Sequence, residues 1–146
     1  MVSNQINAPA IIQPEMEAVS QSISEYAEEL RKWEDAATEL RKVQGELGEV
    51  RRRLEYREAE LTLDPWIDGK NTETRKAQLT QLCANDEAYQ LDLTTVEAMK
   101  TRVQRLQDEA LAARDRMTLN RRIIDWGIAY VRFLGNEGGE TSNGHD

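Results

Sequence analysis

Apolar residues recur every three or four positions along two long stretches of this chain. The one long break lies at Leu63-Asp64-Pro65-Trp66-Ile67-Asp68-Gly69-Lys70-Asn71. Such alternation marks the buried stripe of a helix that packs along another helix. In the first stretch the stripe reads Ile12, Met16, Val19, Ile23, Tyr26, Leu30, Trp33, Ala37 and Leu40, then Val43, Leu47, Val50 and Leu54. The step from Leu40 to Val43 is three where four is due, a stammer expected to overwind a coiled coil locally. Gly45 and Gly48 follow it, either as slack in the helix or as a place where another backbone comes close. In the second stretch the stripe reads Tyr89, Leu93, Val96, Met99, Val103, Leu106, Ala110, Ala113, Met117, Asn120, Ile124, Gly127, Val131 and Leu134. The two patterns predict helices over 14–62 and 87–134.

Local signals set the remaining boundaries. Residues 1–13 are expected to be a flexible N-terminus, and Pro14 suits a first helical turn. Asp64-Pro65 and Asp68-Gly69 are turn formers, and Asn71 is placed to cap a short helix over 72–84. That helix would turn Leu79, Leu82 and Cys83 toward Trp66 and Ile67 as a small satellite core. Gly135 is expected to end the last helix in a left-handed conformation, and 135–146 to be a disordered tail without apolar residues. The fold class read from these signals is all-α. It is an antiparallel long helical hairpin (coiled coil) with a short extra helix at its tip.

Charge supports the antiparallel pairing. Residues 14–39 carry net −6 and residues 114–134 net +3, whereas 41–57 carry +3 and 92–109 carry −1. A hairpin closing near residue 67 brings each acidic segment beside a basic one, with partner positions summing to roughly 146–150. Trp33 would then lie over Ala110 and Ala113, a large side chain against small ones. Asn120 is the one polar stripe residue of the second helix, of the kind that specifies register or oligomeric state at a cost in stability.

The C-terminal part of the second helix has more apolar surface than one partner helix covers. Ile123, Trp126, Ile128, Tyr130 and Phe133 surround the stripe there. These five are the candidate oligomer or partner interface, with a homodimer in a four-helix arrangement favoured and a host or phage protein as the other partner. Trp66, Ile67 and Lys70 are candidate contacts at the tip.

Composition narrows the function classes. Aromatic residues make up 5% of the chain and charged residues 32%, which suits a thin seam rather than a spherical core. No apolar run reaches the roughly 18–20 residues of a membrane span, and the N-terminus lacks the pattern of a secretion signal. A single cysteine, Cys83, forms no internal disulfide. These features fit the cytoplasm. The only histidine is His145, and no phosphate-binding loop or metal-type spacing is present in the sequence. No enzymatic activity, small-molecule substrate, membrane partner, cofactor or metal is expected.

Arg51, Arg52, Arg53 and Arg57 form the densest basic cluster and are candidate phosphate contacts. Net charge is −8, which opposes general attraction to nucleic acid. A nucleic-acid-linked accessory role, or an acidic mimic that inhibits a nucleic-acid-binding protein, is therefore the alternative reading.

The stretch Gly69-Lys70-Asn71-Thr72-Glu73-Thr74-Arg75-Lys76-Ala77-Gln78-Leu79 resembles the turn of small coiled-coil proteins encoded by bacteriophages and prophages. Those share a G-x-N-x-x-x-R-x-x-x-L pattern between two helices. The resemblance covers residues 60–134 and transfers no functional residues. It implies a phage or prophage protein of the host cytoplasm, structural or accessory. The expected function is that of a non-enzymatic coiled-coil protein acting through protein–protein contacts and self-association.

Overall fold

The computed structural model defines the backbone of residues 13–140 and the side chains of 13–136. The expected flexible N-terminus up to residue 12, and the tail beyond residue 140, lie outside the described residues. Three helices follow one another: α1 (Gln13–Thr62), α2 (Thr72–Asn85) and α3 (Glu87–Glu140). The two long helices pack antiparallel, with the short one between them in sequence.

One expected boundary fails. α3 does not stop at residue 134 but continues through Gly135 to Glu140, so 135–140 are helix and not disordered tail. A glycine ends a helix when it adopts the left-handed conformation. No glycine among the described residues has positive φ. With ordinary helical dihedrals, Gly135 simply lets the hydrogen-bond ladder pass.

The chain packs as two compact units. One comprises Ala36–Glu109 and contains α2, and the other comprises 13–35 and 110–140 among the described residues. In the first, α1 and α3 close over an apolar core of Leu47, Val50 and Val96, with Leu54, Met99 and Val103 packed around it. Val43 and Leu106 are buried as well. Across this pair Arg53 bonds Asp92, Arg57 bonds Asp86 and Arg102 bonds Glu39.

In the second unit Glu29 pairs with Arg116, and Val19 lies against Gly127 so closely that a Cβ on the glycine would overlap its methyl group. Ala113 is buried, while Trp33, expected to lie over it, remains exposed. Antiparallel partners sum to about 141–146, slightly below the expected register.

Burial along α1 follows a different line from the one apolarity marks. The buried positions are Ser22, Glu29, Ala36, Val43, Leu47, Val50 and Leu61, with Val19, Tyr26, Leu40 and Leu54 half-buried among them. With Trp33 and Arg57 filling the remaining places, this line keeps the 3/4 alternation from Val19 to Leu61 without interruption. The expected stammer is absent. Met16 and Ile23, expected in the seam, stay 45% and 52% exposed. On α3, by contrast, every expected stripe position from Val96 to Leu134 is buried or half-buried.

Gly45 and Gly48 have open space where a Cβ would stand, so no backbone among the described residues comes close to them.

Candidate interaction surfaces

The tip is built almost entirely by polar bonds that the chain makes to itself. Asp64 closes a turn by accepting from the Trp66 and Ile67 amides. Asn71 adopts an extended conformation, and its side chain accepts from the Thr74 amide at 2.8 Å, so it caps α2 as expected. The Arg75 guanidinium donates to the Gly69 carbonyl at 2.7 Å, and the Gly69 amide donates to Gln78 at 3.0 Å. Gln78 in turn donates to Asp68. Gly69 is buried in this cradle, where a Cβ would stand 2.8–3.0 Å from Thr74 and the Arg75 amide nitrogen.

Every motif residue of the turn therefore has a structural task. Leu79 lines a cavity of about 600 Å³ together with Ile67, Leu63 and the Arg75 stem. Trp66 does not join it and remains exposed, as does Lys70. Of the expected satellite core, Ile67 and Leu79 share this cavity, Leu82 is half-buried and Cys83 buried, and the tryptophan stays outside.

Asp86 ties the tip to α1. It ends α2 and caps α3, accepting from the Tyr89 amide at 2.8 Å. Its two oxygens also take a fork from Arg57, at 2.7 and 3.1 Å. The Arg57 bonds and the Tyr89 amide hold the Asp86 carboxyl below the usual carboxylate range. Cys83 lies beside this cluster, and burial pushes its thiol pKa up, with Glu58 and Asp86 adding to the effect. A raised thiol is a poor nucleophile, and Cys83 is buried as well.

The basic cluster does not make one patch. Arg51 lines a cavity with Lys100 and Gln104, whereas Arg52, Arg53 and Arg57 line another with Tyr56 and Asp92. Arg53 and Arg57 are already engaged by Asp92, Asp86 and Glu60. Arg51 and Arg52 are exposed and make no ion pair among the described residues. Two of the four candidate phosphate contacts would have to leave carboxylate partners before meeting a phosphate.

The apolar surface of the 13–35/110–140 unit is the most conspicuous feature. Its seam includes the polar Ser22, Glu29 and Asn120, all buried. Arg116 Nε stands 2.9 Å from Glu29 Oε2 without aligning its N–H on that oxygen, while Lys32 donates to Oε1. Arg116 foremost, with Lys32, keeps the Glu29 carboxyl below its ordinary pKa.

Large apolar side chains meanwhile face outward in two separate stripes. Met16, Val19 and Ile23 of α1 line a groove of about 360 Å³ with Gly127, Ile128 and Val131 of α3. The second stripe lies on α3 alone: Leu119, Ile123, Trp126 and Phe133 are exposed, and Tyr130 is half-buried among them. Trp126 and Ile128 are two residues apart, hence roughly 200° apart around the helix. The second stripe therefore points away from the groove.

Of the five expected interface residues, four share this second stripe and Ile128 belongs to the groove. Leu119 was missing from the expectation, although the 119-123-126-130-133 spacing announces it. Trp126 and Tyr130 stack with ring centroids 5.4 Å apart and planes within 5°, giving the stripe a flat aromatic centre.

Among the described residues no helix is long and apolar enough to cross a membrane. No group of three or more metal-type side chains converges among them either. No protein-family model, curated protein or solved structure matches this chain.

Proposed function

We propose that this protein is a non-enzymatic helical scaffold that works by docking its 13–35/110–140 unit onto other helices, those of its own copies included. One observation carries the reading. The unit leaves Met16, Ile23, Leu119, Trp126, Ile128 and Phe133 exposed while burying Ser22, Glu29 and Asn120 in its seam. Exposed apolar stripes of this kind mark protein-interaction sites, and helical spacing selects a helix as the complement. Self-association would assemble a dimeric four-helix arrangement. The likeness of the 69–79 turn to phage and prophage proteins is the ground for a phage setting in the host cytoplasm.

The test compares the unaltered chain with Phe133→Glu and Ile123→Glu by light scattering over a wide concentration range, with helicity followed by circular dichroism. The expected result is a concentration-dependent rise in mass that the substitutions remove without loss of helix. A chain that stays monomeric at every concentration and binds no helical partner would sink the proposal.

A further inference from the structure

The outward stripe of α3 is more than an apolar patch. Leu119, Ile123, Trp126, Tyr130 and Phe133 follow a 4-3-4-3 spacing, the signature of a coiled-coil seam. The seam facing α1 runs one residue later along the same helix, through Asn120, Ile124, Gly127, Val131 and Leu134. α3 thus carries two adjacent seams, and only one of them has a partner among the described residues.

The spacing of the free seam is nearly symmetric about Trp126, with positions seven and three residues before it and four and seven after. Two aliphatic residues, Leu119 and Ile123, precede it, and two aromatic residues, Tyr130 and Phe133, follow it. Laid antiparallel on a copy of itself, the stripe sets Leu119 against Phe133, Ile123 against Tyr130 and Trp126 against Trp126. Each outer contact pairs an aliphatic side chain with a ring, and Trp126, stacked on Tyr130 of its own helix, meets its equivalent at the centre. A parallel arrangement would instead stack like on like along the whole stripe. Flanking charge does not oppose the antiparallel register: Arg122 meets the level of Tyr130, not a second arginine.

Area sets the expected strength. Leu119, Trp126 and Phe133 are 59%, 62% and 58% exposed and Ile123 36%. With aromatic side chains offering about 150–250 Å² each, the stripe presents roughly 450 Å² per copy. Two copies bury about 900 Å², below the roughly 1,200–2,000 Å² of a standard stable interface.

We infer that a second copy of this chain occupies the outer stripe of α3, antiparallel and centred on Trp126, in a weak, reversible dimer. The inference rests on the scaffold reading above and adds the face, the register and the strength.

Sedimentation of the unaltered chain from micromolar to millimolar concentration reads the affinity, and Trp126→Glu weakens it at least about tenfold. Register is read by mild oxidation of Leu119→Cys and Phe133→Cys chains, alone and mixed. Cys83 is buried, so the unaltered chain is the uncross-linked control. Antiparallel pairing predicts a covalent dimer only in the mixture, because a position and its own copy would lie roughly 20 Å apart along the helix, beyond disulfide reach. A Trp126→Cys chain, at the two-fold centre, links to itself. A dimer that links each position to its own copy, or links at none of them, overturns this inference and leaves self-association standing. A chain that remains monomeric at millimolar concentration overturns both.

Discussion

Two glycines show how little a residue type says until its surroundings are known. Gly69 sits where a Cβ would press on Thr74 and the Arg75 amide, while Gly45 lies in a helix with open space around it. Gly69→Ala is expected to cost about 1–3 kcal/mol through overpacking, and Gly45→Ala to add up to about 1 kcal/mol through helix propensity. Urea unfolding of the two variants reads both signs in one experiment. Acid sensitivity is another residue-scale property. Asp86, Asp92 and Glu29 each have a carboxyl pKa held down first of all by an arginine, Arg57, Arg53 and Arg116 respectively. A depressed folded pKa contributes stability that is full above the unfolded values, 3.8 for aspartate and 4.5 for glutamate, and fades as pH falls through the folded ones. Melting temperature should therefore be flat from neutral pH down to about 5 and decline below 4. Asp86→Asn should lower the plateau and flatten part of that fall.

Among the helices, α3 shows its buried face openly in the sequence and α1 does not. On α1 two candidate lines share Val19, Tyr26, Trp33 and Leu40. One adds Met16, Ile23, Leu30 and Ala37, and the other adds Ser22, Glu29 and Ala36. Hydropathy favours the first, yet the second is buried. The deciding facts are tertiary: the small Gly127 against Val19, and Arg116 beside Glu29. Neither is visible from α1 alone, and the apparent stammer at Leu40–Val43 was a by-product of following the wrong line. Antiparallel pairing was legible because charge inverts along both helices together. The Asn71 cap was legible because its role is local. The extension of α3 past Gly135 was not, since a glycine permits a left-handed stop without enforcing it. Asn120, buried in the α3 seam, leads to a further expectation. Asn120→Leu should stabilise the fold by about 1–2 kcal/mol in thermal unfolding, while broadening the oligomer distribution seen by native mass spectrometry.

For the molecule as a whole, the two units differ in what holds them. The Ala36–Glu109 unit has a continuous apolar core and paired arginines, whereas the 13–35/110–140 unit seals polar groups and leaves apolar ones outside. Hydrogen exchange should therefore be slowest at Val43–Val50 and Val96–Leu106 and clearly faster at 13–35 and 117–134 in dilute protein. Protection in the faster segments should rise with concentration if copies associate. The G-x-N-x-x-x-R-x-x-x-L turn needs no ligand to explain it, since its residues are occupied with one another. The opposed placement of the two outward stripes has a consequence for valence. A two-fold partnership through Trp126 can silence only the α3 stripe, and the Met16–Ile23 groove of each copy stays open. A dimer of the proposed kind would be a two-headed ligand, able to grip a repetitive target at two points. Linked engagement of that kind multiplies apparent affinity by about 10²–10⁴ over a single contact. Weak pairing along α3 would then act as a concentration gate on avidity, not as the binding event itself.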